Sequence, residues 1–340
     1  MELAGARQRG LPVAGLGALV LAAGALGAAG CRAPAAGGTA SPPNPFAADA
    51  LWDDGRAEID AYEAKIKRYG ILRSLTAYLV VVKEDLSKTQ LVKADPGHDP
   101  GDLRTVLKLN HVLNYPTGIY SYHQMASCFF DRGTMDLMKL SLTSNEWCGN
   151  TYKEYTRRDG RGTLHVHTYW DNQAEATYDV PTGPDVVFYD ALPLWIRSLP
   201  QATGTTRALR LLPSQIESKG PKPEERSATL IAAKEEGIVV PAGRFTALRW
   251  ELRIAGGPLD VYWTAREAPH VLLAWDRGDG GAYRLKWTQR LAYWMLNRPG
   301  DERFLQGPPA PSRRRSPPRR SPPVAPGRRA GRSRPDGPRR

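Results

Sequence analysis

The side chains able to do covalent or metal chemistry are few: three cysteines and six histidines in 340 residues. Cys128 and Cys148 lie twenty residues apart, and on neighbouring strands of an oxidised protein they could bridge. Closing that loop would contribute about 3 kcal/mol, provided the two Cα atoms approach to about 5.5 Å. The alternative is two separate thiols. Cys148 sits in Glu146-Trp147-Cys148-Gly149. A nucleophilic cysteine needs a lowered pKa and a base beside it. The available bases are His123, His165 and His167, and the Gly149 amide could face an oxyanion. A disulfide would consume that nucleophile, so the two readings exclude each other. His165 and His167, in the run LHVHTYW, share one face of a strand. They would hold a metal only if a third ligand joined them; otherwise they mark a polar face. No residue is assigned a catalytic role, and no cofactor or resident metal is expected.

Aromatic residues are the other candidates. Five of the nine tryptophans fall between 250 and 294. Trp250, Trp263, Trp275 and Trp287 could wall an apolar ligand groove. Strands also favour aromatics simply for packing. Trp147, beside Gly149, is expected to pack into the core, so that Trp147→Ala would cost about 3–5 kcal/mol.

The elements that must carry these residues read as mainly β. Met138, Leu140 and Leu142 alternate with polar neighbours, as do Leu248, Trp250, Leu252 and Ile254, then Leu259, Val261 and Trp263, then Tyr283, Leu285 and Trp287. A slip at 247–248 suggests a bulge. Turn chemistry at Arg132-Gly133, Asp159-Gly160-Arg161-Gly162, Gly256-Gly257-Pro258 and Gly278-Asp279-Gly280-Gly281 separates the runs. The pattern predicts an antiparallel meander of about a dozen strands, forming a curved sheet, half-barrel or barrel. No alternation of strands with helices appears, which argues against a parallel α/β layout. One helix is expected over 46–70, where Leu51, Ile59, Tyr62 and Ile66 recur at helical spacing with acids early and bases late. Two β segments follow, 71–199 and 228–306, joined by a connecting segment over 200–227 rich in Pro, Gly and charge. They would either complete one curved sheet or stand as two domains.

Charge is concentrated at the end of the chain. The formal net charge is +12, but residues 307–340 hold eleven arginines and one acid, leaving residues 31–306 almost neutral. That distribution argues against a nucleic-acid-binding globule, whose footprint must lie on the folded surface. The tail is Arg/Pro-rich and expected to be disordered. Anionic lipids or wall polymers are its candidate partners; an extension without a role is the other reading. At the opposite end, residues 1–30 combine Arg7 and Arg9 with an uncharged run over 11–30, the pattern of a secretory signal peptide. A retained transmembrane helix is the alternative. Residues 31–45 read as a flexible tether.

Ala28, Ala29 and Gly30 before Cys31 resemble the lipobox of bacterial lipoproteins, with Ala28 where leucine is common. The resemblance implies cleavage before Cys31, acylation of that residue and insertion of its acyl chains (palmitate among them) into a bilayer; two or more chains suffice for stable anchoring. Arg32, rather than an acid, implies the outer membrane if the cell has one. The blocks AEIDAYEAKIKRYGILRSLTAYLVVVKED, QLVKAD, VLKLN, TGIYSYHQMASCFF and TSNEWCGNTYKEY resemble uncharacterised secreted bacterial lipoproteins often called septum formation inhibitor Maf, over residues 57–180. They do not resemble the cytoplasmic nucleotide pyrophosphatases of that name, whose Ser-Pro-Arg-Arg-type motif is absent from the body. VVPAGRFTALRWELRI and VYWTAREAPHVLLAW are similar to an exported β-rich domain family of unknown function. Neither resemblance brings an active site. The expectation is a non-enzymatic, membrane-anchored envelope protein that binds an apolar ligand or an envelope partner. A hydrolase built on Cys148 and a purely structural protein are the alternatives.

Overall fold

The computed structural model describes residues 42–308. They form β1 Ala57–Arg68, β2 Ile71–Ser87, β3 Leu103–Pro116, β4 Ser121–Asp131, β5 Leu137–Glu146, β6 Gly149–Arg158, β7 Arg161–His167 and β8 Glu175–Val180. The later strands are β9 Val186–Phe188, β10 Thr206–Leu212, β11 Arg226–Val240, β12 Gly243–Ile254, β13 Leu259–Ala265, β14 Leu272–Asp276 and β15 Ala282–Leu291. Two four-residue helices, α1 Pro45–Ala48 and α2 Leu192–Trp195, and several 3₁₀ turns complete the set. None of the described helices is long and apolar enough to cross a membrane. The signal-like run, Cys31, most of the tether and residues 309–340 of the tail lie outside the described residues.

All fifteen strands belong to one sheet, in the order β8-β7-β6-β5-β4-β3-β2-β1-β15-β14-β13-β12-β11-β10-β9. Pairing is antiparallel throughout, except that β9 runs parallel to β10. The two β segments therefore complete one sheet. The chain walks outward from β1 to one edge, crosses to the other edge, and walks back to close on β1 through β15. The crossing dictates the curvature. Fourteen strand spacings would separate the edges of a flat sheet by about 65 Å. The few residues from Val180 to Val186 span at most about 20 Å. The sheet must curl until its edges approach, and Phe188 of β9 lies 4.8 Å, ring to ring, from Tyr155 of β6.

The core fills the concave side. Inner-face residues Tyr62, Ala77, Leu109, Cys128, Leu140, Leu164, Trp250 and Trp275 surround a plug made by the crossing segment, in which Ala191, Leu192, Leu194 and Ile196 are buried. A smaller cluster of Ala57, Ile59, Ala61, Val82 and Trp287 covers the convex side of the central strands. The segment after β10 lies across the inner face: Thr151 Oγ1 donates to Ser218 O (2.7 Å), Lys153 Nζ to Gln215 O (3.1 Å), and Tyr178 OH to Gly220 O (3.2 Å).

Three sequence expectations change. The helix over 46–70 is absent: only Pro45–Ala48 is α-helical, and 57–68 is the central strand β1. Six successive residues, Ala57–Tyr62, are buried because both faces of β1 are covered. A strand buried on both faces need not alternate, and its apolar residues fell by chance at helical spacing. The connecting segment 200–227 contains β10. The bulge expected at 247–248 lies instead on the adjacent strand β11, where the register shifts between Ala232 and Lys234.

Candidate functional site

A row of aromatic side chains crosses the inner face. Trp250 pairs with Tyr262, Tyr262 with Trp275, Trp275 with Tyr283, and Tyr283 with Ala64. The rings of Tyr262, Trp275 and Tyr283 stack at 5.1 and 4.9 Å, inclined by 19°. Tyr283 faces the small Ala64 across the ladder, and the ring of His111 of β3 lies 5.6 Å from the Tyr283 ring.

A hollow of about 280 Å³ opens there, walled by His111, Tyr115, Trp275, Arg277 and Tyr283 of the sheet and by Ser214, Ile216 and Glu217 of the overlying segment. Arg68 and Tyr69, at the end of β1, stand at its mouth. Five atoms of its lining residues are buried without a hydrogen-bond partner: Arg68 Nε, His111 Nε2, Trp275 Nε1, Arg277 Nε and Tyr283 OH. Four of these carry or can carry a proton to donate whatever the tautomer, and His111 adds a fifth in one tautomer. An orphaned buried polar atom costs on the order of 1–3 kcal/mol, so its concentration in one place asks for a partner that the chain does not provide. Two larger hollows, about 530 Å³ beside residues 293–305 and about 480 Å³ beside Arg197 and Pro269, have no such atom among their lining residues. The unsatisfied donors, not the volume, mark the site.

The electrostatics follow from burial. Burial, with the nearby Arg277 charge, holds the His111 pKa at about 3, so its ring is neutral. Burial pushes the Tyr283 phenol up and keeps it protonated. Tyr115 is pushed up to about 12 for the same reason, and its OH donates to Gln124 Oε1 at 2.9 Å. Deeper in, burial raises Asp190, whose carboxylate accepts from Ser214 Oγ and, at 2.6 Å, from Gln215 N. Burial lowers Lys153 to about 8. Arg68 donates to Tyr122 OH (2.8 Å) and Ser218 Oγ (3.1 Å) and has no carboxylate partner among the described residues. The site thus sets neutral donors and two guanidinium groups beside the acids Asp190 and Glu217, and its unpartnered donors suit a ligand that brings acceptors.

The sequence candidates are placed differently. Trp250 and Trp275 are on the inner face, but Trp287 belongs to the convex cluster and Trp263 pairs with Arg249 and Ala274 on that same outer side. The four indoles therefore do not wall one groove. A bulge in β15 opposite Ala61 and Tyr62 turns Trp287 away from Tyr283 and Leu285. Cys128 and Cys148 are free thiols, the first buried and the second exposed. Cys128 pairs with Leu140, six residues and about 20 Å before the end of β5, whereas Cys148 lies in the turn beyond that end. No bridge forms between them. Trp147 shares that turn and is 74% exposed, not in the core. Glu146 and Gly149 make the last ladder pair, so the two residues between them project past the sheet. No histidine bonds to Cys148 among the described residues: His123 meets Asn114 and His165 meets Thr177. His165 and His167 do share the outer face of β7 and are exposed. No group of three or more metal-ligating side chains occurs among the described residues. Sequence reasoning missed His111, Arg277, Tyr283 and Arg68. Only the alternation through Tyr283 hinted at an inner-facing phenol.

No family model and no curated protein matches the chain. Among solved structures it is similar to the crystal structure of a DUF1089 family protein from Pseudomonas aeruginosa, at 13% identity over 61% of this chain and 94% of that one. The TM-score is 0.31, too low for the likeness to bear on function.

Proposed function

We propose that this is an exported envelope protein, anchored in the bilayer through acyl chains on Cys31, that binds a small amphipathic molecule without chemical conversion. The ligand would lie in the inner-face hollow, its apolar part against Ile66, Leu113 and Ile216 and its acceptor atoms toward Arg277, Tyr283, Trp275 and His111. The observation that carries this reading is the cluster of buried, unpartnered donors in one wall. The convex-face tryptophans Trp263 and Trp287 have no part in it. Anchoring at the outer membrane, where the cell has one, follows from the sequence resemblance at Cys31 and Arg32.

Native mass spectrometry of the full-length protein, released from membranes in mild detergent, tests the binding. A bound molecule at about one per chain, recovered by solvent extraction and distinct from the covalent acyl groups, is expected. The reading fails if the protein is empty and also takes up no fatty acid or phospholipid on incubation. For the anchor, Cys31→Ala should leave the protein unacylated; recovery in the detergent phase with the leader removed would refute acylation at that residue.

A further inference from the structure

Strands that meander antiparallel send alternate turns to the same end of the sheet. The β1–β2, β3–β4 and β5–β6 turns therefore emerge side by side, and the first of them lines the hollow through Arg68 and Tyr69. Their tips are not polar. Tyr69 and Ile71 are each 58% exposed, Ile119 is 86% exposed, and Trp147 is 74% exposed. Leu72 adds to the group, also exposed. Tyr69, Tyr120 and Trp147 are contiguous. Tyr120 OH lies 3.3 Å from Tyr69 OH, and the Tyr120 and Trp147 rings are 6.2 Å apart. Singly scattered apolar residues are ordinary on a surface, but a contiguous group at one end marks a contact site.

We propose that this rim docks on the surface of an anionic lipid bilayer. Two features select a bilayer. The first is the pairing of tryptophan and tyrosine, residues with an apolar ring and a polar handle, with aliphatic Ile and Leu beyond them; that combination suits the boundary between headgroups and acyl chains. The second is charge. The hairpin segment 64–76 carries Lys65, Lys67, Arg68 and Arg73 and no acid, and the β3–β4 turn over 115–122 has no charge. Glu146, at the base of the third turn, is buried and accepts a hydrogen bond from Tyr169. A basic, apolar and aromatic rim fits a negatively charged headgroup layer, where each cation near the surface adds attraction. Docked this way, the hollow opens toward the membrane through Arg68 and Tyr69. The docking rests on the rim alone and would stand if the hollow proved empty.

Cys148 is an exposed thiol next to Trp147 and Cys128 is buried, so the native chain carries its own probe site. The full-length protein is labelled with a thiol-reactive nitrobenzoxadiazole dye and the labelled residue is verified by peptide mapping. It is then reconstituted in vesicles of phosphatidylcholine with phosphatidylglycerol. Nitroxide-bearing lipids should quench the dye at least twofold, and aqueous iodide should quench it little. The paired change Ile119→Ser with Trp147→Ser should abolish nitroxide quenching while the thermal midpoint stays put. Lys65→Glu with Arg73→Glu should weaken the quenching, as should vesicles without the anionic lipid. Strong iodide quenching without nitroxide quenching would overturn the proposal. So would shielding from both quenchers, which would assign the rim to a second copy or another protein. Unchanged nitroxide quenching in the Ile119/Trp147 variant would show that anchoring alone brings the dye to the bilayer, and would equally overturn it.

Discussion

Tyr283→Phe separates a binding residue from a structural one by the signs of its effects. The ring of Tyr283 is 1% exposed, stacks on Trp275 at 4.9 Å and lies against His111. Phenylalanine preserves all of that. What it removes is a hydroxyl that is buried, protonated and without a partner. An orphaned hydroxyl costs about 1–3 kcal/mol, so its loss should stabilise the ligand-free protein by about 1 kcal/mol. For a domain of this size that is a rise in thermal midpoint of about 2–4 °C. With ligand bound, the same change deletes a hydrogen bond worth about 1 kcal/mol and should weaken affinity about fivefold. Thermal unfolding of delipidated and loaded protein, with occupancy read by native mass spectrometry, measures both. A delipidated variant that melts more than about 2 °C below wild type would show that the hydroxyl serves the fold. Equal occupancy in variant and wild type would remove Tyr283 from the ligand.

Other perturbations test the framework around the site. Glu58 and Arg197 form a bidentate pair at 2.6 and 3.0 Å, both almost fully buried between β1 and the plug; Glu58→Gln strands the guanidinium and should cost about 3 kcal/mol in a denaturant titration. Asp60, fully buried next to Glu58, has its pKa raised chiefly by burial and secondarily by the Glu58 charge. Its protonated form therefore contributes stability that is complete below the ordinary carboxylate range and is lost as pH rises toward its folded pKa. Asp60→Asn removes that loss, so its thermal midpoint should exceed that of wild type by a margin that widens from pH 4 to pH 7; a constant margin would refute the assignment. Of the two described thiols, Cys148 should react with a disulfide reagent in the native protein and Cys128, whose thiol burial pushes up, only after unfolding; a Cys128–Cys148 disulfide peptide in a non-reducing digest would contradict the register of β4 and β5. Trp147→Ala should change stability by less than about 0.5 kcal/mol in the same titration.

The β meander was legible wherever one face of a strand meets solvent. Leu164 and Val166 point inward while His165 and His167 point outward, so period-two alternation carries the information. It fails in β1, whose first half is covered on both sides, and that is where a helix was expected. It fails again at the β15 bulge, which sends Trp287 to the face opposite Tyr283. The site was hidden for a related reason. His111 and Arg68 are distant in sequence from Arg277 and Tyr283, and the hollow between them depends on residues 214–217 lying overhead. Such an arrangement is not a motif. Trp147 projects because it sits in a two-residue turn, where period-two alternation carries no information.

The seam between β1 and β15 has a kinetic consequence. Every other antiparallel pair joins strands adjacent in sequence, so each half of the sheet assembles from hairpins whose loops close cheaply. The seam alone joins the first strand to the last, with Ala57 opposite Leu291. During synthesis the amino-terminal half emerges first, and it must wait with one apolar edge of β1 unpaired until the final strand arrives. That edge is a template for mispairing with another copy. The slow step of folding should be the zipping of this seam. A permuted chain beginning at β2 and carrying β1 after β15 would make this pairing a local hairpin and move the long-range closure to β1–β2, so the slow step should remain while the waiting edge becomes that of β2.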